Sequence, residues 1–391
     1  MRAHELLTRA RRWRMLASGL AFVAVAAAVV GVVATRESSP PKLSVTNHST
    51  TTVAPASSTS TSTKPGVVAS STTTSTTVPT PTNAPAVSAS FISPQHGWVL
   101  QRGGSVAETT DGGMRWKTIG NVGPLAYGES TPRIRFADAK RGFLQDNRDL
   151  FSTDDGGAHW QKVGSPFGRV VDLAISRGVV YLVAYDANAN TFALWSSPTD
   201  HLAWSKDPVK IELGAGPVPF QQLVLSGTSG WIVNEDRTVI GGARLASGGH
   251  WNAWNPPCLD VNGPARLAAS SNLDLVASCD DHEWGGGTIA PAVYFSHDGG
   301  ATFQRHAAPG FGEIASPNAN TAVVFENGVL RRTTDEGATW SAVAHEGPGL
   351  NVTTAPDLGF TTSTQGFAIL GDGQMLMTYD AGATWSAVTL P

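Results

Sequence analysis

The sequence predicts an all-β domain, a seven-bladed β-propeller, and three observations carry that prediction. One template, Ser/Thr-x-Asp-x-Gly-x-x-aromatic, is written five times, at residues 109–116, 153–160, 296–303, 333–340 and 378–385. Asp111, Asp155, Asp298, Asp335 and Asp380 hold its third place; Trp116, Trp160, Phe303, Trp340 and Trp385 hold its last. Two worn copies fill the gap: residues 197–204 keep Ser197 and Trp204, and residues 244–251 keep Gly248 and Trp251. Successive aromatic ends then stand 44, 44, 47, 52, 37 and 45 residues apart, the period of propeller blades rather than of helical solenoids. Finally, no segment after Thr35 sustains a helical period,.

Within a unit the order is an apolar strand, a turn, a Gly-aromatic strand, a third strand running into the template and a fourth leaving from its aromatic residue. In the first unit Ser90-Phe91-Ile92 leads through Pro94-Gln95-His96 to Gly97-Trp98-Val99-Leu100; Phe136 to Gly142-Phe143, Leu225 to Gly230-Trp231 and Phe360 to Gly366-Phe367 repeat the arrangement. Short strands bounded by Gly, Asp, Asn and Pro are antiparallel hairpins, and four make a blade. The template is turn chemistry: the Asp accepts N–H bonds inside its own turn, the Gly takes a left-handed angle, and the aromatic ring packs beneath. Copies about 45 residues apart fall in different blades, so five Asp in a row are repeat furniture and not a convergent site.

Ahead of the repeats the chain changes character. Residues 15–35 carry no charge, and at about 1.5 Å per residue they make a helix of roughly 31 Å, enough to span a hydrocarbon core. Arg9, Arg11, Arg12 and Arg14 precede them, which orients residues 1–14 as a cytoplasmic tail and the rest outward. A single-pass signal anchor is expected; the alternative is a secretory signal cleaved near Ala34. No Cys follows the apolar run, which excludes a lipoprotein anchor. Residues 36–85 form a Ser/Thr/Pro-rich linker with almost nothing to bury, expected to be disordered. A coil of that length spans roughly 40 Å and acts as a stalk. Residues 86–391 are the propeller.

Outside residues 1–36 the chain holds 21 basic and 30 acidic side chains. So acidic an exported domain is a poor partner for phosphate backbones, and no basic stripe interleaved with aromatics is present; nucleic acid is excluded as a ligand. Cys258 and Cys279, the only cysteines, most economically form one disulfide in an oxidising compartment, with two buried thiols as the alternative.

The five copies resemble the Asp-box, or BNR, repeats of sialidase-like propellers. With a Gly-Trp strand ahead of the box, the whole unit resembles the photosystem II assembly-factor type more closely. The resemblance covers residues 86–391 and implies the fold; Asp-box propellers include hydrolases and noncatalytic surface proteins alike. A sialidase implies an arginine cluster, a Phe/Tyr-Arg-Ile-Pro motif before the first box and a Tyr nucleophile. Here only Arg102 precedes Thr109 within the propeller, and Arg133-Ile134-Arg135 lacks the Pro and follows the first box. A paired-carboxylate glycosidase needs less sequence and stays open.

What the repeat does not explain is the excursion that lengthens the fifth unit, Asp280-Asp281-His282-Glu283-Trp284, with Trp254 nearby in sequence. These are the candidate ligand-binding residues: Trp284 or Trp254 to stack on a ligand ring, the acids to hold hydroxyls. Their spacing fits neither a zinc site nor a calcium loop, and no phosphate-cradling loop or nucleophile triad is present, so no metal or cofactor is implied. The expected function is a cell-surface binding or assembly module that recognises a protein or glycan through its loop face, with an Asp-box glycoside hydrolase as the alternative.

Overall fold

A computed structural model describes residues 84–128, 131–164, 166–186, 191–209, 220–236, 238–246, 249–259, 263–280, 291–345 and 357–391. The expected tail, membrane span and all but the last two residues of the linker lie outside them. Among the described residues no helix is long and apolar enough to cross a membrane.

Seven four-stranded antiparallel sheets follow one another along the chain, each built from consecutive strands. Their innermost strands are Ala86–Phe91, Arg133–Phe136, Arg169–Ser176, Phe220–Ser226, Ala265–Ala269, Glu313–Asn318 and Asp357–Phe360. The molecule is thus an all-β, seven-bladed propeller, and seven hydrophobic clusters fill the seams between neighbouring blades.

The Gly-aromatic strand has a steric cause. Phe136 and Gly142 are cross-strand partners, as are Phe360 and Gly366. A Cβ on Gly142 would stand 2.7 Å from the Phe136 ring, and one on Gly366 2.6 Å from Phe360. The first-strand ring occupies the space that a side chain would need.

All five intact templates share one Ser/Thr–Asp hydrogen-bond pattern, and the four that end in Trp add an indole bond to the template glycine. In the first, Thr109 Oγ1 donates to Asp111 Oδ1 (2.9 Å) and accepts from Gly113 N (2.9 Å), Arg115 N donates to Asp111 Oδ1 (2.9 Å), and Trp116 Nε1 donates to Gly113 O (3.0 Å). The Thr302 hydroxyl and N–H hold Asp298 well below the usual carboxylate range. These acids are ionised and satisfied in place.

The residue after the Asp has left-handed φ in all five copies: Gly112, Gly156, Gly299, Glu336 and Ala381. In four of them its carbonyl accepts a donor from the preceding blade. Trp98 Nε1 reaches Gly156 O (2.9 Å), Trp231 Nε1 reaches Gly299 O (3.0 Å), and Arg332 Nε reaches Ala381 O (2.8 Å). Gln365 Nε2 (3.2 Å) and the Tyr379 hydroxyl (2.8 Å) meet Gly112 O across the seam between last and first blades. The turn therefore latches blade to blade. Trp98 is fully buried and lies flat on Phe136 at 3.7 Å. Trp98→Phe, which orphans the Gly156 carbonyl and opens space, is expected to cost about 2 kcal/mol in urea unfolding, while Tyr379→Phe at the exposed seam costs less.

One worn copy is displaced from the expected alignment. Leu245, not Arg244, pairs with Gly230 as Thr109 pairs with Gly97, so this turn is one residue shorter than the template. Ser197 keeps the expected place opposite Val180.

The ring closes by packing, with no strand shared between its ends. Ala89, Val99 and Ala107 of the first blade pack on Phe367, Ile369 and Met377 of the last. Ala86 N donates to Gly373 O (2.8 Å) and Gln101 Nε2 to Pro391 O (3.1 Å).

Candidate functional site

Inner strands of a propeller are sheet edges, and their unpaired N–H groups need acceptors. Here the preceding blade supplies them from polar side chains. Ser90 Oγ accepts from Phe136 N (2.9 Å), Asp172 Oδ2 from Leu223 N (2.8 Å), Gln222 Oε1 from Leu267 N (2.8 Å), Glu235 Oε1 from Ala265 N (2.6 Å) and Asp357 Oδ2 from Ala89 N (3.1 Å). Burying carboxylates for this purpose demands cations, and three arginines provide them.

The result is a charged belt around the axis. Arg135 binds Asp357 through Nη1 (3.2 Å) and Nη2 (3.3 Å), Arg133 lies 3.6 Å from Asp172, and Arg266 spans Glu235 (3.3 Å) and Glu313 (2.8 Å). Arg133, Arg135, Glu313 and Asp357, with Gln222, line an axial cavity of about 260 Å³ whose walls continue as Leu225, Ala269, Ile314 and Phe360. Arg133, Glu313 and Asp357 begin their strands, so the belt sits at the mouth where the chain arrives from the preceding blade.

Solvent access separates the three arginines and Glu313 from the other three carboxylates. Arg133, Arg135 and Arg266 side chains are 21, 22 and 15% exposed, whereas Asp172, Asp357 and Glu235 are 3, 6 and 5% exposed. Guanidinium groups face the bore and most of their carboxylates lie behind. Burial alone would raise Asp357; Arg135 and Arg133 outweigh it and hold it below the ordinary range. Burial pushes Glu235 up to about 7 against the opposing pull of Arg266 and the Ala265 N–H. Asp172, followed by Asp357 and Glu313, raises Arg133 and keeps it charged.

Arg135 and Arg266 are spent on hydrogen bonds: Arg135 to Ser88, Ala89, Ile134 and Asp357, Arg266 to Glu235, Glu313 and Ala265. Arg133 has only its long ion pair to Asp172, and its guanidinium has no hydrogen-bond acceptor among the described residues. Each carboxylate of the belt, by contrast, is engaged by a cation.

The sequence-predicted candidates lie elsewhere. Trp254 ends the fourth strand of the fourth blade and donates its indole N–H to Gly300 O at 2.7 Å. It performs for the fifth template the duty that Trp116 performs for the first, because Phe303 has no N–H to give; its ring is half-buried against Phe303 at 6.3 Å. Asp280 follows the second strand of the fifth blade, its N–H on Pro264 O (3.0 Å). Asp281, His282, Glu283 and Trp284 lie outside the described residues. Cys258 and Cys279 form a disulfide, Cα–Cα 5.8 Å, joining the connection between fourth and fifth blades to that second strand. The excursion from Asp280 thus leaves on the face where the belt opens, and the template turns lie on the other.

Fold and belt define a propeller with a charged axial pocket. No family model matches the sequence, and no curated protein does. Solved structures similar in fold do exist. YCF48 bound to a D1 peptide superposes with TM-score 0.56 at 19% identity, over 77% of this chain and 94% of that one. YCF48 from Cyanidioschyzon merolae gives 0.53 at 16% identity, over 78% and 97%. A virginiamycin B lyase from Staphylococcus aureus gives 0.54 at 9% identity, over 75% and 94%. The likeness is one of fold, which the photosystem II assembly-factor resemblance had led us to expect.

Proposed function

We propose that this protein is a noncatalytic binding module, carried outside the cytoplasmic membrane on its Ser/Thr/Pro-rich stalk, that holds an acidic side chain or chain end of a protein ligand at the mouth of its bore. One observation carries the reading: Arg133 lines the axial cavity, is accessible from it and makes no hydrogen bond of its own among the described residues. A guanidinium without an acceptor is a ready anchor for a carboxylate. The 260 Å³ cavity suits one such group rather than a globular surface. Binding is favoured over hydrolysis because the belt's carboxylates are each committed to an arginine, and most also to a backbone N–H, leaving none placed as a free acid or base. One of the solved propellers similar in fold is a peptide complex, which agrees with a protein ligand.

The test is retention of the full-length protein on arrays of acidic, basic and neutral peptides and of glycans. Acidic peptides are expected to be retained, and Arg133→Gln to weaken them tenfold or more, the scale of one charge-assisted hydrogen bond. Retention that is indifferent to R133Q, or confined to glycans, would overturn the proposal.

A further inference from the structure

We infer that Glu235 is a proton-operated regulator of the bore: taking up a proton there removes the belt's surplus negative charge and tightens the hold of Arg133 on an acidic ligand. The inference rests on the binding reading above for its second half only.

The geometry supplies the surplus. The described belt holds three guanidinium groups, Arg133, Arg135 and Arg266, against four carboxylates, Asp172, Glu235, Glu313 and Asp357. Arg135 serves Asp357 and Arg133 serves Asp172, but Arg266 is divided between two acids from blades on either side of its own. Of those two, Glu313 reaches the bore and is 19% exposed, whereas Glu235 is 5% exposed. Glu235 receives only the Ala265 N–H and a shared guanidinium, through contacts of 3.3 and 3.4 Å, longer than the 2.8 Å bond that Arg266 makes to Glu313. Of the two acids that share Arg266, the one with less water and the weaker share of the cation takes the proton. Arg266 and the Ala265 N–H from the fifth blade and Glu313 from the sixth are the groups that act on it; burial first, then Glu313, bring its titration to about 7, against the pull of the other two.

The sign follows from this. A carboxyl whose folded value is raised binds its proton more tightly folded than unfolded, where it titrates near about 4.3. Its stabilising contribution is complete below the unfolded value and is lost as pH rises through about 7,. Protonation also frees Arg266 from its ion pair with Glu235 and takes one negative charge from the mouth, so an incoming carboxylate meets less repulsion.

The experiment has two arms on the full-length protein. In the first, thermal midpoints of wild type and Glu235→Gln, without ligand, are compared from pH 5 to pH 8. E235Q carries no charge at this position at any pH, so it is expected to gain on wild type from pH 5 to about 7 and to hold that gain at pH 8,. A difference that stays constant overturns the proton uptake. Should E235Q fail to fold, Glu313→Gln serves: it removes the charge that competes for Arg266 and repels Glu235, and the loss of stability through pH 7 must shift to lower pH. In the second arm, wild-type retention on acidic peptides is expected to strengthen several-fold from pH 8 to pH 6, and E235Q to lose that dependence. Retention indifferent to pH overturns the coupling. Proton uptake in the first arm with no acidic peptide retained at any pH overturns the binding reading instead, so the two failures are distinct.

Discussion

Asp357→Ala is expected to destabilise the protein by about 3–5 kcal/mol, the cost of stripping one partner from a buried ion pair. Asp357 is the first residue of the last blade's inner strand, yet its partners belong to the first and second blades. It accepts from the Ser88 hydroxyl (2.7 Å), Ala89 N (3.1 Å) and both terminal nitrogens of Arg135. Since no strand is shared across the closure, this carboxylate is the charged tie of a seam otherwise held by packing and a few neutral hydrogen bonds. Its removal leaves Arg135 facing the bore without a counter-charge and one edge N–H unmatched. Urea unfolding should show a lower midpoint with an unchanged slope. Because the folded carboxyl titrates below its unfolded value, the stability it confers is present above about pH 4 and is lost as pH falls through the folded value. Wild type and D357A should therefore converge in strong acid. Equal midpoints at neutral pH would mean that packing and the neutral hydrogen bonds of the seam close the ring without this ion pair.

Loss of the Cys258–Cys279 disulfide ranks second. The bridge closes a loop of sequence separation 21, which on the chain-entropy model is worth about 3 kcal/mol. Both cysteines are fully buried, so a reductant reaches them only through opening. Cys258→Ala with Cys279→Ala should lower the thermal midpoint by roughly 5 °C for a domain of this size, and reductant should move wild type toward the variant while leaving the variant unchanged. The effect should concentrate in the fifth blade, where the bridge fastens the incoming connection to the second strand. Hydrogen exchange of Leu275–Cys279 would report it locally. A variant as stable as wild type would show that the fifth blade's strand pairing and the packing around Trp231 suffice.

The blade count was legible because it rests on local chemistry. A turn that needs Asp111 and Gly113 at fixed offsets, and a ring that needs Gly142 beneath Phe136, leave the same marks wherever they occur. The candidate site was much less legible. Asp280 through Trp284 stood out because they depart from the repeat, and Trp254 because it stands three residues past the blade's expected aromatic, Trp251. Yet Trp254 is engaged at Gly300, where Phe303 cannot serve. The belt left a fainter signal, an Arg, Asp or Glu in five of the seven inner strands, as in Arg133-Ile134-Arg135, Asp172, Arg266, Glu313 and Asp357. Aligning first strands rather than templates would have exposed it.

By itself, the sequence determined the number of blades, the order of strands within them and the turns that end them, because those depend on residues a few places apart. Tertiary structure alone decided how the ring closes, that four of the five templates latch the blade before them, and that charges from six strands, spread over more than two hundred residues of chain, meet at one pore. A buried carboxylate is tolerable only beside a cation, and which cation stands beside it is fixed when the ring closes, not by any interval along the chain.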